Sequence, residues 1–243
     1  MRPCRIVERG GLGSRRTAGG LAAGPEWRAK MAKASSVQDE GSVAGAGLSA
    51  IATRIADAGP RKGPPPVHLW NPPFCGDIDM RVARDGTWFY GGSPIGRPAL
   101  VRLFASVLRK DDDGYVLVTP VEKVGITVED APFLAVEMTR EPDGVVRFRT
   151  NVDDWVTVGT DHPLRFAPGA SDALKPYVLV RGGLWALVNR PVFYDLVAAG
   201  ETRDLDGVAM FGIASGGTFF PMAAFPMAAA STLDRLDTGP ALG

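Results

Sequence analysis

Cysteine is nearly absent: the 243 residues hold only Cys4 and Cys75. Two such distant cysteines make no disulfide framework, which fits a reducing compartment. Histidine is as scarce, with His68 and His162 alone. Zinc would need His68, Cys75 and His162 to converge, and none of the paired spacings of a structural zinc site occurs. A thiol nucleophile would need Cys75 against a histidine base and a third orienting group, and no nucleophile motif surrounds it. Net charge is missing too, with 27 basic and 27 acidic residues. No global field therefore draws nucleic acid or an anionic membrane. No apolar run of about 18 residues would make a transmembrane helix. After Arg15-Arg16 comes TAGGLAAGPEW, too glycine-rich and too soon broken by Pro25 for a twin-arginine export signal. These absences predict a cytoplasmic chain. No phosphate-binding Gly-rich loop, Gly-x-Ser-x-Gly elbow or His-Glu-x-x-His helix is found. That points away from an enzyme and implies no cofactor.

What is present is an ordinary globular composition, 45% hydrophobic and 22% charged. Residues 1–45 are rich in Gly, Ala, Ser and charge and read as a disordered tail. Met31 opens MAKASSVQDE, a more usual start, so the first 30 residues read as an over-extended beginning of the chain. Residues 46–66 read as a short helix, carried by Leu48, Ile51 and Ile55, and a proline-stiffened linker. The folded body divides into a first half with extra strands, 67–160, and a second half, 161–243.

That division rests on an internal repeat. Shifted by 93 residues, Val188–Ile213 lies over Ile95–Pro120 without a gap, with seven identities that include Arg97/Arg190, Pro98/Pro191 and Gly114/Gly207. Each copy reads as strand, strand, helix, strand, strand. Leu100, Leu103, Phe104, Val107 and Leu108 form the first helix's apolar stripe. From Ile78 to Val82 the pattern alternates, and Asp85-Gly86 predicts a two-residue hairpin turn into TWFY. Alternation and short turns predict an α+β fold with antiparallel sheets, the strand–strand–helix–strand–strand unit being used twice.

Candidate site residues follow from odd placements. Asp77, Asp79 and Arg81 fall on one face of a strand, where two carboxylates could share a hard cation or a solvated face could carry paired charges. Arg97 and Arg190 each precede a proline that opens a helix, although arginine is a poor N-cap and opposes the helix dipole. Either each is paired with a carboxylate, or together with free amides they receive an anion. Glu122 and Lys123, in TPVEK, could face a cleft or form a surface pair.

The runs HLWNPPFCGDIDMRVARDGTWFYGGSPIGRPALVRLF, TPVEKVGI and APFLAVEM resemble the bacterial family catalogued as domain of unknown function 1285, over residues 67–228. The resemblance implies a two-part α+β fold with repeated motifs and a part in signal transduction through ligand binding. It implies no activity and no catalytic residues. The expected function is a module binding a small anionic ligand or a protein partner in a cleft between the halves, through Asp77, Asp79, Arg81, Arg97, Glu122, Lys123 and Arg190. The alternatives are a metal-dependent hydrolase using Asp77 and Asp79, and a structural adaptor.

Overall fold

The computed structural model describes residues 43–56, 65–169 and 173–224. Most of the expected tail and linker, and everything after Ala224, lie outside them. Helix α1 (Val43–Ala56) begins earlier than its apolar spacing predicts. Two six-stranded sheets carry most of the fold. The first holds β1 (Phe74–Val82), β2 (Trp88–Tyr90), β3 (Ser93–Pro94), β4 (Leu108–Asp111), β5 (Gly114–Val118) and β6 (Lys123–Val128), in the order β3-β2-β1-β6-β5-β4. The second holds β7 (Phe133–Arg140), β8 (Val146–Thr150), β9 (Trp155–Thr157), β10 (Leu164–Pro168), β11 (Leu174–Arg181) and β12 (Leu184–Val188), in the order β10-β11-β12-β7-β8-β9. A third sheet, β13 (Glu201–Leu205), β14 (Val208–Ser215) and β15 (Thr218–Ala224), follows. Helix α2 (Pro98–Ser106) lies between β3 and β4, and α3 (Arg190–Ala198) between β12 and β13.

The two large sheets have the same topology. Each consists of two three-stranded meanders joined at the centre, where the first strand runs parallel to the last: β1 beside β6, β7 beside β12. The sheets are therefore mixed, not purely antiparallel. A parallel neighbour needs a long crossover, which the intervening strands supply, and period-two alternation is the same for either direction. The order strand, strand, helix, strands does occur twice along the chain, but pairing does not follow it. Strands β4–β6 join the sheet of β1–β3, whereas β13–β15 form their own. The large sheets divide between Val128 and Phe133, not at residue 160. The duplication has a sequence trace: Tyr-Val-Leu-Val stands at 115–118 in β5 and again at 177–180 in β11, the equivalent strand of the other sheet.

Two local expectations shift. The α2 stripe stops at Ser106, and Leu108 opens β4 opposite Leu117. The turn after β1 is a three-residue loop: Gly86 N–H donates to the Ala83 carbonyl and Ala83 N–H to the Thr87 carbonyl, both at 2.9 Å. Gly86 has φ +78°, and a Cβ there would stand 2.9 Å from the Leu134 side chain. Glycine is thus required both by conformation and by the close approach of the second sheet.

One apolar core joins the two sheets. Met80, Val82, Trp88 and Leu117 come from the first, Phe133, Phe148, Val178 and Leu184 from the second, and Phe104 from α2. The Trp88 and Phe104 rings stack with centroids 6.4 Å apart. The third sheet is pinned by a hydroxyl. Buried Ser215 accepts from Val146 N–H at 2.9 Å and donates to the Val158 carbonyl at 2.8 Å. Replacing it strands two buried backbone groups. Ser215→Ala is expected to cost about 1–3 kcal/mol in urea unfolding; a change within error would show that this hydroxyl does not hold the sheet.

Candidate functional site

The outer face of the first sheet gathers some of the expected residues. Asp77 pairs in register with Gly125 and Arg81 with Thr127, so Asp77, Arg81 and Lys123 share a face. Asp77 lies over Gly125, where a Cβ would stand 1.9 Å from its Oδ1. Asp79 is exposed on the same face by alternation. Arg81 is ion-paired with Glu129 and stacks over Phe89 at 4.3 Å. Lys123 Nζ donates to Asp111 at 3.0 Å, and Arg109 holds the same carboxylate while clamping the Val67 and Trp70 carbonyls. The Arg109 bond, then that of Lys123, holds the Asp111 carboxyl below the usual range in spite of its burial. This group fastens the incoming chain to β4. The Glu122 backbone closes a turn on Thr119. Among the described residues no three His, Cys, Asp or Glu side chains converge, so Asp77 and Asp79 lack the further ligands a hydrolytic metal would need.

The two helix-start arginines do not join this face. Arg97 is the N-cap of α2 without a side-chain cap bond, and α2 packs on the opposite, apolar side beside Trp88. Helix α3 is capped by Asn189, whose Oδ1 accepts from Val192 N–H at 3.0 Å. Arg190 is therefore inside the first turn, with Nε 3.1 Å from Tyr194 Oη. The apparent oddity of a capping arginine disappears at α3, because asparagine does the capping one residue earlier.

A different cluster lies at the seam of the two sheets. Lys110 of β4 pairs in register with Tyr115 of β5, its ammonium 4.6 Å from the ring centroid. At the equivalent place in the second sheet, Arg165 of β10 pairs with Tyr177 of β11, its guanidinium 5.1 Å from that ring and 4.5 Å from Trp185. Among the described residues neither cation meets a carboxylate in a hydrogen bond or ion pair. Asp130, in the connector between the sheets, accepts from Lys175 Nζ at 2.6 Å and from Tyr177 Oη at 2.7 Å. Burial raises the Asp130 carboxyl, but these two bonds and the Lys175 and Arg84 charges outweigh it and hold the carboxyl below the ordinary range. Burial, then the bond to Asp130, pushes the Tyr177 phenol up to about 12. Burial also raises the Tyr115 phenol, with Arg165 opposing and Asp130 adding to the rise. Both sheets thus bear on one polar patch, and Lys110 packs 3.8 Å from the Cβ position of Gly183 in the β11–β12 turn.

The same turn reaches α2. Arg181 donates to the Ala105 carbonyl at 2.8 Å, pairs with Asp154 and lies over Phe133. Beside it, Asp153, at φ +66°, takes Arg102 of α2 at 2.8 Å and Arg149 at 3.1 Å. None of Lys110, Asp130, Arg165 or Lys175 belongs to a sequence motif. The usable signal was the doubled Tyr-Val-Leu-Val, which marks both tyrosines.

Comparison with known proteins agrees with the division into two sheets. Residues 65–131 match the family described as "Domain of unknown function (DUF1285), N-terminal domain", and residues 132–222 match "Protein of unknown function (DUF1285), C-terminal domain". The chain is similar to the crystal structure of a DUF1285 family protein from Silicibacter pomeroyi DSS-3, at 52% identity and TM-score 0.67, covering 73% of this chain and 94% of that one. A DUF1285 family protein from Shewanella baltica OS155 matches at 29% identity and TM-score 0.42, over 50% of this chain and 92% of that one. No curated protein matches.

The Tyr177 proton gives a test of the seam. An unfolded tyrosine ionises near pH 10, whereas Tyr177 keeps its proton to about 12. Its contribution is complete below pH 10 and is lost as pH rises from 10 to 12. In urea titrations across that interval, Tyr177→Phe should flatten the fall in stability by about one proton's linkage. An unchanged slope would mean that Tyr177 titrates normally.

Proposed function

As the chain belongs to the DUF1285 family, whose descriptions assign no activity, we propose from its geometry that it is a cytoplasmic binding module for an anionic ligand, seated at the seam between its two sheets. The observation that carries this reading is Arg165. Its guanidinium is stacked against two rings, without a carboxylate partner among the described residues. Stacking orders the planar fork in advance, so less entropy is lost when an oxyanion takes two of its N–H groups. Lys110 adds a second positive charge from the other sheet. The Asp130 charge is balanced by its ion pair with Lys175, and its other oxygen is taken by Tyr177.

The seam replaces the face of Asp77, Asp79 and Arg81 as the favoured site because the basic side chains of that face already have acidic partners, Glu129 for Arg81 and Asp111 for Lys123. An anion there would have to displace an existing pair. Signalling fits the same geometry. A ligand bound at the seam would draw on both sheets, and Arg181 stands two residues from Gly183, with its guanidinium on the end of α2. Docking of α2 is then the element through which occupancy would be read.

The test is thermal shift of the full chain with inorganic phosphate, pyrophosphate and citrate at low ionic strength. At least one should raise the melting temperature, and Arg165→Ala should remove the rise while keeping the unliganded midpoint within a few degrees. No shift with any of them, or a shift that survives Arg165→Ala, overturns the reading.

A further inference from the structure

Resting on that seam reading, we infer that the ligand carries two acid groups, one for each sheet. The two cations are not a chance cluster. Lys110 and Arg165 stand at equivalent positions of the duplicated sheets: each is on the fourth strand, in register with the tyrosine that opens Tyr-Val-Leu-Val on the fifth. Each lies over that tyrosine's ring. Lys110 stands 3.8 Å from the Cβ position of Gly183 in the β11–β12 turn, and Arg165 lies 4.5 Å from the ring of Trp185, two residues on. The duplication thus brings two copies of one cation–tyrosine unit to a common seam, and neither copy has a carboxylate partner among the described residues. A ligand with one acid group satisfies one unit and leaves the other charge uncompensated. A ligand with two acid groups satisfies both.

The chemistry of the two receivers differs. Arg165 offers a planar fork suited to two oxygens of one carboxylate or phosphate, whereas Lys110 is a point charge on a flexible stem. The flexible end tolerates variation in the distance between the acid groups, so the rigid end fixes the first group and Lys110 reaches for the second. Carboxylate and phosphate share this chemistry, and the choice of probes separates them.

Calorimetric titration of the full chain would compare acetate and inorganic phosphate with pyrophosphate and with linear dicarboxylates from succinate to suberate. The expected result is at least one two-acid probe binding about tenfold or more tightly than its single-acid counterpart, as one extra charge-assisted contact allows. Lys110→Ala and Arg165→Ala should each bring that probe down to the single-acid level. Lys110 is exposed, so its loss should leave folding intact, which circular dichroism would verify. Whether the pyrophosphate or the dicarboxylate arm responds identifies the acid. If single-acid probes bind as tightly as any two-acid probe, or if Lys110→Ala leaves tight binding untouched, the two-acid inference is wrong and the Arg165 site stands alone. If no probe binds at all, both readings fall.

Discussion

The structure depends on the burial of one apolar layer between two sheets. Neither sheet could stand with Trp88, Leu117, Phe133 or Phe148 in water, and each supplies the cover the other lacks, with Phe104 of α2 filling between them. A fully buried side chain of that size contributes roughly 1.5–3 kcal/mol. A half-exposed pair such as Arg102–Asp153 contributes about 0.2–1 kcal/mol. The apolar layer therefore decides that the sheets dock, and the charged contacts around its rim decide in which orientation. Gly86 against Leu134 and Arg181 against Ala105 are the points where that orientation is registered.

Asp130 shows how the rim is organised. It lies in the short connector between the sheets with its side chain 14% exposed, where an isolated carboxylate would be costly. Tyr177 and Lys175 of the second sheet satisfy it, so the connector is tied to β11 by polar bonds as well as by the chain. The consequence is electrostatic: the Asp130 carboxylate is taken by Lys175 and Tyr177, while among the described residues Lys110 and Arg165 have no carboxylate partner.

Much of the local structure was legible. Alternation from Ile78 to Val82, the glycine turn at 86 and the α2 stripe each report a period or a backbone conformation that nearby residues impose. What escaped was non-local. The parallel closures of β1 on β6 and β7 on β12 leave no mark on alternation. Strands β4 and β13, LRKD and ETRDL, carry too little apolar residue to announce themselves. The 93-residue shift pairs segments whose strands join different sheets, and it led away from the 62-residue spacing of Tyr115 and Tyr177 on which the equivalent sheets align. Of the residues expected to form a site, Arg81 and Lys123 have their own partners, and Arg97 and Arg190 stand on separate helices. Ion-pair partners such as Glu129 for Arg81, 48 residues away, cannot be read from spacing.

The lesson for locating a site in such a chain is about duplication. When a unit is used twice and the copies face one another, a residue that is unremarkable in one copy becomes half of a pair across the seam. Tyr115 alone is a strand tyrosine and Lys110 alone a surface lysine; set against Tyr177 and Arg165 they make a second ring and a second charge. Selection for packing would explain paired tyrosines, since both rings bury apolar area. It does not explain leaving a cation over each ring while Asp111 and Glu129 neutralise the basic groups on the outer face of the first sheet. A pair of cations at the seam with rings but, among the described residues, no carboxylate for partners is therefore the feature that packing does not require.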